Sequence, residues 1–184
     1  MTQAPQTMAP ATSPVVDLSR RSDFPSAYDD RTMLLTFLDY VRLTVHQKCA
    51  GISAEHAGAR LLPTSPLTTI GGLVSHLRWV EADMIGTFFL GEDDRSPCTE
   101  EEPDAEMRIG AERPIEEMLA DYAAECARND EVIAAHSLED LSVRKVNGAQ
   151  APLKFAIMHL IEETARHNGH IDLLREMADG VTGA

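Results

Sequence analysis

A chain of 184 residues is long enough to bury one ordinary domain's core, and at 43% apolar and 25% charged residues it lies near the globular average. Sixteen basic residues against thirty acidic ones give a formal charge of −14, which repels nucleic-acid phosphates and an anionic membrane surface alike. No nucleic-acid or membrane partner is therefore expected. No stretch approaches the roughly 18 to 20 uncharged apolar residues of a membrane span. The start, MTQAPQTMAPATSPVVDLSRRSDFPSAYDD, lacks the basic n-region and apolar core of a secretory signal, so a cytoplasmic protein is the expectation.

Residues 1–28 are rich in Pro, Ser, Thr, Ala and Gln without a period that could bury a face, and read as a flexible leader before a folded domain at 29–184. From there the apolar period is helical. A first helix is predicted from about Asp29 to Ala50, with Asp29 and Asp30 at its positive end and Gly51 at its stop. The prolines of LLPTSPLTT interrupt the pattern. A second helix begins after Thr68 or Thr69 and continues through IGGLVSHLRWVEADMIGTFFLG to Gly91. The stretch EDDRSPCTEEEPDAEMRIGAERP reads as an acidic loop, either a solvated connection or a lid.

A third helix spans about Pro114 to His136. A fourth opens with Pro152 and ends near Asp179, where Gly180 suits the cap. Between them LSVRKVNG allows one short extended piece, and no strand-turn-strand pairing is expected. Four long helices with one apolar face each predict an all-α fold, a four-helix bundle. The cysteines, Cys49, Cys98 and Cys126, are odd in number and lack a metal spacing. They are expected to be reduced, with Cys49 and Cys126 packed and Cys98 in a loop.

The chemistry gathers in HLIEETARHNGHIDLLRE, His159 to Glu176. At about 100° per residue, His159, Glu163, His167 and His170 share an arc with Leu153, Ala156, Leu160, Ile171 and Leu174, and so are predicted to face the bundle. Inward carboxylates and imidazoles without partners cost several kcal/mol, roughly, and a metal ion is the natural partner. Glu163 and His167, at i and i+4, stand one above the other and can grip one ion; His159 with Glu163 is the rival pair and His167 with His170 a third. His159 and His167 lie about 12 Å apart along the axis and cannot serve the same ion. His76, on the apolar face of the second helix with Leu73, Val80, Met84 and Thr87, is the candidate third ligand. The resulting His2Glu set is of the kind found in open, catalytic zinc sites.

On these residues the chain resembles the DinB-like superfamily, which includes mycothiol-dependent maleylpyruvate isomerase and thiol S-transferases. The resemblance runs from about Arg31 to Gly180. It is carried by RTMLLTFLDYVRLTVHQKCAGIS, by TTIGGLVSHLRWVEADMIGTFFLGED and by MHLIEETARHNGHIDLLREMADG. It implies a four-helix bundle with a divalent metal, usually zinc, held by His76, Glu163 and His167. It places His170 where relatives often have Gln, beside the ligands or facing substrate. It also implies a low-molecular-weight thiol such as mycothiol, activated as thiolate and attacking a small electrophile. The further C-terminal domain of the isomerase has no counterpart here, so isomerisation itself does not follow from the resemblance. Trp79, Arg166 and His159, with Arg78 and Glu81, flank the ligands and could orient thiol or substrate.

Zinc is preferred over nickel, iron or manganese, although His and Glu ligands suit them all. Two other readings compete with the transferase. One is a metal hydrolase that activates water. The other is a non-enzymatic metal-binding or stress-linked bundle, as a monomer or homodimer, in which a fourth protein ligand, His159 or His170, would close the site.

Overall fold

The computed structural model describes residues 16–183. In chain order these form α1 (Asp30–Cys49), the single turn α2 (Ala54–Ala57), α3 (Ile70–Glu81), a π-helical continuation (Ala82–Phe89), α4 (Ala105–Glu112) and α5 (Ile115–Ala135). The strands β1 (Leu141–Val146) and β2 (Ala149–Pro152) and the helix α6 (Leu153–Asp179) follow. The long helices α1, α3 with its π extension, α5 and α6 make a helical bundle, α3 packing on α5 and α6 and α1 on α6.

Local chemistry sets the helix ends as expected. The Asp29 carboxylate accepts the Thr32 amide at 3.0 Å, and the Thr69 hydroxyl accepts that of Gly72 at 3.0 Å, each satisfying a first-turn donor with no intrahelical partner. Gly180 closes α6 at φ 75°, a left-handed position that glycine occupies without a Cβ penalty.

Three features depart from the sequence reading. The second long helix is not regular to Gly91: from Ala82 it widens into i→i+5 bonding, as in the Leu90 amide to Ile85 carbonyl bond of 3.0 Å. The wider turn lets Met84, Ile85, Phe88 and Phe89 all face the core. The acidic stretch contains α4, whose buried residues are Ala105 and Gly110, too small to print an apolar stripe. Finally, β1 and β2 pair as an antiparallel hairpin about Asn147 and Gly148, at φ 51° and 81°. Asn-Gly with both residues at positive φ is the signature of a tight hairpin turn. Ser142 is the buried residue of β1, so no apolar alternation advertises the strand. Arg144 pins the hairpin to the π segment by donating to the carbonyls of Thr87 and Glu92, each at 2.9 Å.

Residues 1–15, most of the expected leader, lie outside the described residues. The segment that follows docks on α1. Leu18–Arg20 form a 3-10 turn, Arg20 pairs with Asp39 at 2.5 Å, and Arg21 donates to the Thr44 hydroxyl at 2.8 Å.

Two apolar clusters fill the bundle. One gathers Val45, Leu73, Leu77, Tyr122 and Ile171, and the other Leu38, Ile85, Ile133, Leu153 and Leu160. Between them each long helix inserts a buried polar residue: Arg42 from α1, Glu81 from α3, Asn129 from α5, and Thr164 and Asn168 from α6. Arg42 grips Glu81 through two bonds of 2.6 Å and reaches Asp130 at 2.7 Å, while the Asn129 amide donates to the Glu81 carboxylate at 2.9 Å. Asn168 donates to the Val41 carbonyl at 2.9 Å. This layer fixes the helix register, because a slip of one turn would bury unpaired charge.

Candidate metal centre

The inward stripe of α6 is Leu153, Ala156, Ile157, Leu160, Thr164, Asn168, Ile171 and Leu174. Glu163 and His167 border it on the side that faces α3, with side chains 13% and 14% exposed. His76, between the buried Leu73 and Leu77 on α3, meets them at 25% exposure. The Glu163 Oε2 atom lies 3.4 Å from His167 Nε2 and 4.0 Å from His76 Nε2. The two imidazoles stand edge to face with centroids 4.9 Å apart. One donor atom from each of the three residues falls within 4.8 Å of the other two.

Each of the three has a partner on its far side. The Glu106 carboxylate of α4 lies 2.7 Å from His76 Nδ1. A carboxylate accepts only, so Nδ1 carries the proton and donates, which leaves the His76 Nε2 lone pair free toward Glu163. Arg166 binds the other Glu163 oxygen, Oε1, at 2.9 Å. His170 Nδ1 lies 3.1 Å from His167 Nδ1, which allows the His167 tautomer whose Nε2 is also bare. Burial, with the facing His76 adding to it, lowers His167 to about 4, so its ring is neutral at pH 7. Two imidazole lone pairs and a carboxylate oxygen thus converge as acceptors, and a cation fits that set better than any neutral group.

The sequence placed Glu106 in a loop, yet it is the orienting group of the site. Its position depends on a close helix crossing: a Cβ on Gly71 would meet the Gly110 carbonyl oxygen at 2.2 Å, and one on Gly110 the Gly71 oxygen at 2.2 Å. Only glycine at both positions allows α4 to lie this close to α3. The signal available in the sequence was Pro103-Asp104 followed by helix-forming residues and then Gly110.

The remaining candidates divide. His170 is exposed rather than inward, and reaches the site through His167 alone. His159 does not join His76; with Glu162 and Glu163 it forms a second close group, and its ring stacks on Phe155 at 6.4 Å. Arg166 is half-exposed and ties Glu162 as well as Glu163. Arg78 covers the Trp79 ring at 3.6 Å and reaches Glu125 at 3.5 Å. Glu81 does not flank the site at all, being buried in the ion pair with Arg42. A cavity of about 280 Å³ opens beside the centre, lined by Trp79, Asp83, Asp94, Arg95, Glu106 and His159.

Fold and site together define a helical bundle with a His2Glu donor set bordered by a polar cavity. The family model for mycothiol-S-transferase matches residues 33–180, and the chain belongs to that family, in agreement with the DinB-like resemblance of its motifs. The match takes in His76, Glu106, Glu163 and His167. No curated protein matches the chain.

Proposed function

We propose that this protein is a divalent-metal-dependent thiol transferase that joins mycothiol or a related low-molecular-weight thiol to a small electrophile, with His76, Glu163 and His167 as ligands. The observation that carries the reading is the convergence of three donor atoms within 4.8 Å, in a chain of the mycothiol-S-transferase family. Zinc is the preferred ion, with nickel, iron and manganese compatible with the same donors. A bound divalent cation would supply a positive charge that holds the incoming thiol as thiolate near neutral pH.

The chain's own residues prepare that chemistry. Glu106 fixes the His76 tautomer, Arg166 leaves Glu163 Oε2 free to face the two rings, and His170 orients His167. In the transfer, the thiol proton passes to solvent and the sulfur electron pair forms the S–C bond. The leaving group departs with its bonding pair, or, in an addition, the neighbouring carbon takes a proton.

Two of the protein's three thiols are poor nucleophiles by comparison. Burial pushes the Cys49 thiol up to about 12 and raises Cys126 well above its ordinary value. Among the described residues, neither His159 nor His170 joins the three-donor group as a fourth ligand, which favours an open coordination position over a closed structural one.

The test is a zinc-loaded, tag-free protein assayed with mycothiol and a panel of electrophiles such as monochlorobimane. The reading expects thiol-dependent turnover above the uncatalysed rate, lost in His167→Ala and kept when Cys49, Cys98 and Cys126 are all changed to Ser. Turnover that disappears in a folded triple cysteine variant, or never exceeds the uncatalysed rate, would overturn it.

A further inference from the structure

Glu163 belongs to two groups of donor atoms at once. Besides the set with His76 and His167, it closes a second with His159 and Glu162, whose donor atoms also lie within 4.8 Å of one another. The spacing explains why: positions 159, 162 and 163 stand at i, i+3 and i+4, so one face of α6 carries an imidazole one turn before two adjacent carboxylates. The His159 ring stacks on Phe155, with centroids 6.4 Å apart. It also lines the polar cavity, where Asp83, Asp94 and Glu106 face a single cation, Arg95. A positive charge already answers the two carboxylates: Arg166 binds Glu162 Oε1 and, at 2.9 Å, Glu163 Oε1. It engages both carboxylates but not His159.

We propose that His159, Glu162 and Glu163 form a second divalent-cation site, sharing the Glu163 carboxylate with the first, and that the ion displaces the Arg166 guanidinium. A guanidinium donates to carboxylates but cannot use the lone pair of an imidazole. A divalent ion takes all three donors, which is the chemical reason for a metal rather than an organic cation. One nitrogen and two carboxylate oxygens suit zinc or manganese. Arg166 is half-exposed on a long stem and can turn to solvent, but its displacement and the half-exposed Glu162 make this the weaker site, filled after the first. His159 stands on the wall of the polar cavity, so the second ion would bring its charge to an oxygen-donor group of a reactant held there. The inference goes beyond the thiol-transfer reading and does not require it.

The test saturates the first site of the tag-free full chain with zinc, removes the excess and titrates manganese(II), reading the free ion by electron paramagnetic resonance. About one further manganese per chain should bind. His159→Ala should lose this manganese and keep the zinc, since His159 is not among the three ligands of the first ion. Arg166→Ala should bind manganese about tenfold more tightly, because a unit positive charge no longer competes for the two carboxylates. A chain that holds its zinc but takes up no manganese would overturn the proposal. So would manganese binding that survives His159→Ala, or affinity that does not rise in Arg166→Ala. The same titration on His76→Ala, where the first site is broken, should still show manganese bound in a manner that depends on His159. Failure of the first site and failure of the second are thereby distinguished.

Discussion

Glu106 Oε1 lies 2.7 Å from His76 Nδ1, joining the short helix α4 to the candidate centre through one charge-assisted hydrogen bond. That bond selects the His76 tautomer with Nε2 bare and holds the ring in its orientation toward Glu163. Replacing Glu106 with Gln should weaken metal affinity by about 10- to 100-fold, the usual effect of removing such an outer partner, whereas His76→Ala should abolish it. Titration against a competing chelator checks both.

The α3–α4 crossing makes a paired prediction. A Cβ at position 110 would press on the Gly71 oxygen and come within 2.5 Å of Ser75 Cβ, while one at Gly169 on α6 meets nothing within 4 Å. Gly110→Ala should destabilise by about 1–3 kcal/mol as α4 is pushed away, and should loosen the metal with it. Gly169→Ala should stabilise by roughly 0.5–1 kcal/mol through helix propensity alone. Urea denaturation of the two variants reads the contrast.

Removing Glu81 takes away both short bonds to the buried Arg42 and leaves its charge only the half-exposed Asp130 as an anionic partner. Glu81→Ala should therefore cost about 3–5 kcal/mol in unfolding free energy. Asp130→Ala should cost much less, because its side chain is 54% exposed and forms only the rim of the network. A loss for Glu81→Ala no larger than that for Asp130→Ala would contradict the proposed register role.

Burial lowers His46, which stacks on Tyr122 at 5.7 Å, to about 4. Unfolded, the same imidazole titrates near 6.5, so between those values the unfolded chain binds the additional proton. Stability contributed by neutral burial is complete above about pH 6.5 and is lost as pH falls toward 4. His46→Gln should flatten the decline in urea midpoint across that window relative to the parent chain, with the other titrating groups common to both.

Much of the bundle was legible because its signals are local. The caps at Asp29, Thr69 and Gly180 and the i, i+4 spacing of Glu163 and His167 are properties of short stretches. His76 could be placed because its flanking apolar residues mark one helix face. What escaped depends on partners far away in the chain. The burial of α4 rests on Ala105 and Gly110, whose small size carries meaning only against Gly71. Glu81 looked like a group beside the ligands because nothing local says that Arg42, 39 residues earlier, reaches it across the bundle. The hairpin had its Asn-Gly turn in plain view, but its exposed strands offered no alternation to support it. His170 fell within the predicted arc, yet the packed stripe of α6 is centred far enough round the helix to leave it in solvent.

The most direct measurement is metal analysis of tag-free protein beside its His167→Ala variant, with folding of each verified by circular dichroism. The account predicts about one divalent ion per chain in the parent and a sharp loss in the folded variant. A parent chain that stays folded but cannot be loaded with zinc, nickel, iron or manganese would contradict it. Equal metal content in the two proteins would do the same.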